Sequence, residues 1–74
     1  METYKLTAVI EKDDDGYFAF CPELQGCYSQ GKSHEEALEN LRDAVKLHLE
    51  DMKKSGEDFR RPTSISLTTL EIAV

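Results

Sequence analysis

Two cysteines, Cys21 and Cys27, are the whole supply of thiols in a chain of 74 residues. Their C-x5-C spacing fits neither the C-x2-C of a zinc ribbon nor the redox C-x-x-C, and no further Cys/His pair completes a tetrahedral site. No structural metal is expected. No apolar run approaches the ~18 residues that a membrane-spanning helix requires. Internal repeats, linkers and low-complexity segments are absent too, which leaves a single domain over residues 1–74. Basic residues are scarce: 9 Lys and Arg stand against 15 Asp and Glu, a formal net charge of -6. Such a surface repels phosphate backbones, so direct nucleic-acid binding is not expected, whereas encounter with a basic protein is favoured.

A chain of this length buries only about 60% of its unfolded surface, and small domains supplement a thin core with disulfides, metals or self-association. Cys21 and Cys27 could meet across a turn as a disulfide. The opening METYKLT has no signal-peptide pattern, however, so a cytoplasmic, reducing setting is expected, with both thiols acting as small apolar residues. Self-association is the supplement that remains.

What is present reads as strands around one helix. YKLTAVIEK, 4–12, alternates, with Tyr4, Leu6, Ala8 and Ile10 on one parity and β-branched Thr7 and Val9 on the other. DDDG at 13–16 reverses the chain, because Asp side chains bond nearby amides and Gly16 accepts positive φ. YFAFC, 17–21, returns as a second strand. A loop of two, three or four residues sets the register, and a slip of one exchanges the faces of Phe18 and Phe20 with those of Tyr17 and Ala19. Either register leaves large apolar groups on both faces. Pro22 and Gly26 make PELQG a loop, and CYSQG, 27–31, is a short third strand.

The helix is marked at both ends. Ser33 followed by Glu36 has the capping-box spacing, Glu35 and Glu36 suit the positive end of the helix dipole, and Lys53 and Lys54 precede Gly56 at the other end. Ala37, Leu38, Leu41, Ala44, Val45, Leu49 and Met52 form one stripe at about 100° per residue. His48 falls within it and is read as an imidazole packed at the helix edge, while Leu47 falls outside and is read as an exposed apolar residue. EDFRRP, 57–62, is a connection solvated by Arg60 and Arg61 and ended by Pro62. ISLTTLEIAV, 65–74, is β-rich with a parity change between Ile65/Leu67 and Leu70/Ile72/Val74, which predicts a fourth strand with a bulge or a change of partner.

The order is thus β-β-β-α-β, an α+β fold. A helix about 30 Å long returns the chain so that the fourth strand runs parallel to the first, giving a mixed four-stranded sheet in the order 3-2-1-4 with one covering helix. That helix is about 10 Å wide and shields about two strands spaced at ~4.8 Å. A homodimer is therefore expected, using the bare face or the fourth strand, with Ile65, Leu67, Leu70 and Ile72 as subunit-contact residues.

DGYFAFCPELQGCYSQGKSHEEALENL, followed by an amphipathic helix ending near LHLE, resembles the HicB-like antitoxin family over about residues 4–54. Its most specific features are Asp15-Gly16-Tyr17, Pro22-Glu23-Leu24, Gly26-Cys27, Gly31 and Glu35-Glu36-Ala37. Gln25, where the family often has proline, and His48, where an aromatic is common, depart from its pattern. The resemblance implies a truncated RNase H-like fold, oligomerisation, and binding to a small basic HicA-like toxin, an mRNA-cleaving ribonuclease whose catalytic surface the antitoxin covers. Many relatives append a DNA-binding helix-turn-helix or ribbon-helix-helix module, and none is expected here. For the toxin contact the first candidates are the acidic loops at Asp13, Asp14, Asp15 and Glu23.

Two other classes compete. Nucleases of RNase H-like fold hold two metal ions on inward carboxylates, but Asp13 to Asp15 sit in a turn and strand 1 offers no inward acid, so neither catalysis nor a cofactor is expected. A non-catalytic homo-oligomeric scaffold or ligand-binding module without a toxin is the alternative.

Overall fold

The computed structural model describes residues 3–57, 59 and 64–74. Three strands and one helix form in it: β1 (Val9–Asp13), β2 (Gly16–Phe20), β3 (Tyr28–Gly31) and α1 (His34–Lys54). The strands make one antiparallel sheet in the order β1-β2-β3. Asp13 pairs with Gly16, so the hairpin loop is the two residues Asp14 and Asp15, with the Asp15 N–H donating to Asp13 Oδ1 at 2.8 Å. Among the described residues only glycines have positive φ, and Gly16, at +137°, takes the twist that such a short loop imposes on a hairpin.

This register decides which side chains meet the helix. Ile10, Ala19 and Ser29 stand side by side across the sheet, as do Lys12, Tyr17 and Gly31. Ala19 is fully buried, which identifies this as the covered face. The opposite face carries Val9, Phe20 and Tyr28 in one row and Glu11, Phe18 and Gln30 in the next.

Small residues let α1 come very close on the β3 side. A Cβ built on Gly31 would stand 2.8 Å from Ala37 Cα and closer still to Ala37 N. Asn40 adds a lash, donating through Nδ2 to the Gln30 carbonyl at 2.8 Å. The start of the helix is fixed by Ser33 Oγ, which accepts from Glu36 N–H at 3.0 Å, while Glu36 Oε1 accepts from Lys32 N–H at 3.2 Å. Its end is closed by Gly56 N–H to the Lys53 carbonyl at 3.2 Å and Glu57 N–H to the Met52 carbonyl at 2.9 Å, the Schellman pattern. Consequently α1 packs mainly on β3 and β2 and only marginally on β1.

The buried core is Ala19, Cys21, Leu24, Cys27, Ala37 and Leu41. Both cysteines lie in it as free thiols, in the small apolar role expected of them. Of the helix stripe only Ala37 and Leu41 are buried, and Ala44, Val45, Leu49 and Met52 are half-covered. Half-burial of His48 and 68% exposure of Leu47 agree with the stripe geometry.

Two expectations are corrected. The first strand begins at Val9 rather than at Tyr4, because β2 ends at Phe20 and the chain turns at Cys21 and Leu24, leaving residues 5–8 with no strand beside them among the described residues. The expected fourth strand, and with it the order 3-2-1-4, is not formed within this chain: residues 64–74 are described, exposed throughout and in no strand. Asp58, Arg60, Arg61 and Pro62 of the expected connection lie outside the described residues.

Gly31→Ala should therefore force α1 away from β3 and lower stability by about 1–3 kcal/mol, as overpacking does. Urea denaturation reads this as a lower midpoint at unchanged slope. A midpoint equal to that of the parent protein would contradict the close approach.

Candidate functional site

Of the acidic residues singled out in the sequence, the structure brings some together and separates others. Asp13, Asp14 and Asp15 form the tip of the β1–β2 hairpin. There Asp13 and Asp15 join Glu11, Glu36 and Lys32 around an open groove of about 580 Å³. Glu11 and Glu36 join through strand register and helix position, neither of which is readable as a local motif.

Glu23 is elsewhere. β1 runs about 15 Å from the hairpin tip back to Val9, and Glu23 sits beyond that far end, against Thr7. The Thr7 N–H donates to both Glu23 carboxylate oxygens at 3.0 Å, and the Thr7 hydroxyl donates at 2.9 Å. Cys21 Sγ donates to Glu23 Oε1 at 3.5 Å. Partial burial works against the charge on Glu23, yet the Thr7 donors outweigh it and hold this carboxyl below its ordinary value. Burial, followed by the bond to Glu23, pushes the Cys21 thiol up to about 11, and burial raises Cys27 as well. Neither thiol has the character of a nucleophile.

The face opposite the helix is aromatic. Phe18 lies 5.6 Å from Tyr28 and 6.0 Å from Phe20, ring centre to ring centre, and Tyr28 is 59% exposed. This row adjoins the acidic tip through Glu11, which pairs with Phe18. No group of three or more His, Cys, Asp or Glu is placed to hold a metal ion among the described residues, and no charged residue among them is buried. No helix among the described residues is long and apolar enough to cross a membrane. The arrangement therefore offers recognition surface, charged at one end and apolar beside it.

A second groove, of about 330 Å³, runs between residues 4–8 and the middle of α1. Leu6, Ala8, Leu38, Leu41, Val45 and Leu49 give it an apolar lining. The candidate subunit-contact residues are exposed to different degrees: Ile65 by 38%, Leu67 by 75%, Leu70 by 77% and Ile72 by 70%.

Comparison with known proteins gives a consistent answer. A family described as HicB_like antitoxin of bacterial toxin-antitoxin system matches residues 6–72. A UPF0150 protein of Helicobacter pylori is 48% identical over 68 residues, covering 92% of this chain and 94% of that protein. A UPF0150 protein of Thermoplasma acidophilum is 40% identical over 65 residues, covering 86% and 94%. An uncharacterized 14.9 kDa protein of Haemophilus phage HP1 is 36% identical over 56 residues, which are 76% of this chain and 42% of the phage protein. No solved structure gives a significant match.

Because the folded carboxyl of Glu23 titrates below its unfolded value, the clamp contributes all its stability above the ordinary carboxylate range and loses it as pH falls through the folded value. Glu23→Gln should lower the thermal midpoint near neutral pH, and the gap to the parent protein should close as pH falls below the ordinary carboxylate range. Thermal unfolding of both proteins across this range checks it. A gap independent of pH would contradict an ionised clamp.

Proposed function

The chain belongs to the HicB-like antitoxin family, and from that footing we propose that it binds a small basic HicA-like toxin and hides the toxin's RNA-cleaving surface. The observation that carries this reading is the outer sheet face, where half-buried Phe18 and Phe20 and exposed Tyr28 form an aromatic cluster that adjoins the carboxylates of Glu11, Asp13 and Asp15. Acidic groups speed encounter with a basic partner, and desolvated aromatic contacts then slow its departure. Asp13, Asp14 and Asp15 keep their assignment to the toxin contact. Glu23 is assigned to the Thr7 clamp, since its oxygens already accept three hydrogen bonds from Thr7.

Family membership points to a non-enzymatic role: the protein acts by occlusion and needs no cofactor. It does so in the cytoplasm, where the mRNA cut by such a toxin is found. It also self-associates, because among the described residues one helix covers neither the outer sheet face nor the edge of β1. The truncated RNase H-like order is completed only when a fourth strand is added to β1.

The direct test is co-expression with the product of a neighbouring reading frame that encodes a small basic protein, scored by co-purification and by rescue of growth. Tyr28→Ala should weaken the complex about 10-fold or more, chiefly through faster dissociation. Replacing Asp13, Asp14 and Asp15 together by Asn should slow association and flatten its dependence on salt. Absence of a complex with any such product would favour the alternative, a toxin-free homo-oligomeric scaffold. Full affinity in both variants would place the contact on another face.

A further inference from the structure

The register that pairs Ala19 with Ser29 and Phe20 with Tyr28 runs on one step past the end of β2, where Cys21 stands opposite Cys27. The backbone confirms this, since the Cys21 N–H donates to the Cys27 carbonyl at 3.0 Å. Residues directly opposite in an antiparallel pair point to the same face, with Cα atoms about 5.5 Å apart at a hydrogen-bonded position. Cys21 follows Ala19 by two residues and Cys27 precedes Ser29 by two, so the face is the covered one. Both side chains are buried there, 2% and 6% exposed. A disulfide joins residues whose Cα atoms lie about 4.4–6.8 Å apart. The fold therefore brings into bonding reach two thiols that the C-x5-C spacing left undecided.

The loop between them accommodates closure. Facing Cβ atoms lie about 4.5–5.5 Å apart and a disulfide needs about 3.5–4.5 Å, so the pair must draw together by about 1 Å. The Cys27 N–H turns away from Cys21 to the Leu24 carbonyl at 3.3 Å, which leaves the pair tied on one side only, and Gly26, at φ +75°, turns the chain just before Cys27. No other cysteine exists in the chain to compete for either thiol. At rest Cys21 Sγ donates to Glu23 Oε1 at 3.5 Å. Burial raises both thiols, which keeps the thiolate fraction small near neutral pH and makes the pair slow to exchange.

We propose that Cys21 and Cys27 form a reversible redox couple, closing into an intrachain disulfide just past the end of the β2–β3 pair with a low-molecular-weight disulfide, such as oxidised glutathione, as the oxidant. The Cys27 thiol loses its proton to solvent and its sulfur attacks the oxidant. A protein–glutathione bond forms as the oxidant's own S–S bond breaks, and the first glutathione leaves as a thiolate. Cys21 then gives up its proton and displaces the second glutathione from Cys27. Two electrons pass to the oxidant, and the two protons end on the two glutathione thiols. Cys27 attacks first because Cys21 is held by Glu23 as well as by burial. The pair rests as free thiols and closes as the oxidised fraction of the thiol pool rises. Closure pins the 22–26 loop to the sheet and leaves the Glu23 carboxylate to its Thr7 donors alone. The inference does not depend on the antitoxin reading. A chain that closes this bridge and binds no toxin would keep the first and lose the second.

The test equilibrates the full-length chain with graded ratios of oxidised to reduced glutathione, in buffer and in concentrated urea, traps free thiols with N-ethylmaleimide and reads the intact mass. In buffer the product should be a single unalkylated chain lighter by two hydrogens, formed at a glutathione ratio that does not change with protein concentration. Its equilibrium constant should be about 50-fold larger in buffer than in urea, and its thermal midpoint about 10 °C above that of the reduced chain, because the fold already holds the two ends of the loop together. The rate should rise about 10-fold from about pH 7 to about pH 8, as thiolate attack requires of thiols raised by burial. Chains bridged to one another, glutathione retained on either cysteine, equal constants in buffer and urea, thiols alkylated at every ratio, a rate indifferent to pH, or loss of the helix signal on closure would each overturn the proposal.

Discussion

The approach of α1 to β3 at Gly31 and Ala37 sets the plan of this domain. A side chain at residue 31 would collide with the Ala37 backbone, so glycine allows the first turn of the helix to rest directly on the strand. From there the helix follows β3 and β2, over Ala19 and Ser29, and hardly reaches β1. A helix centred on the sheet would have covered β1 at the expense of β3. Because this one is drawn to one side, an apolar groove opens between residues 4–8 and α1.

The Glu23 carboxylate keeps one side of that groove in order. Residues 5–8 run on past the end of β2 with no strand beside them among the described residues, but the hydrogen bonds from Thr7 tie them to Glu23. The core beneath is modest, six residues of which four are alanine or cysteine, so a charged clamp and caps at both helix ends matter more than they would in a larger protein. The opposite end of the hairpin is acidic and the outer face aromatic. The proposed self-association and the proposed capture of a basic partner would thus use different parts of one small sheet.

Features governed by near neighbours were legible in the sequence. Ser33 and Glu36 marked the start of the helix, Lys54 and Gly56 its end, and the stripe correctly separated Leu41 from Leu47. Family membership was legible as well, through clustered motifs such as Pro22-Glu23-Leu24. Long-range pairing was not. The alternation of YKLTAVIEK is that of a strand, but whether Tyr4 to Ala8 form one depends on a neighbour, and β2 turns away at Cys21. The β-rich tail poses the same problem, since its pattern describes a strand without saying which edge receives it. Glu23 and Asp15 looked equivalent as loop acids, and only folding shows that one is taken up by Thr7 and the other opens to a groove.

Backbone hydrogen exchange at Leu6, Ala8 and Ile10 tests most directly whether the offset helix leaves an edge that a second chain must complete. If the copies meet at this edge, these amides should exchange slowly at concentrations where the protein is dimeric and rapidly on dilution to the monomer, while amides within α1 stay protected in both. Slow exchange of all three in a dilute monomer would show an edge already satisfied within one chain, and rapid exchange in a stable dimer would show that the copies meet elsewhere; either result contradicts the account.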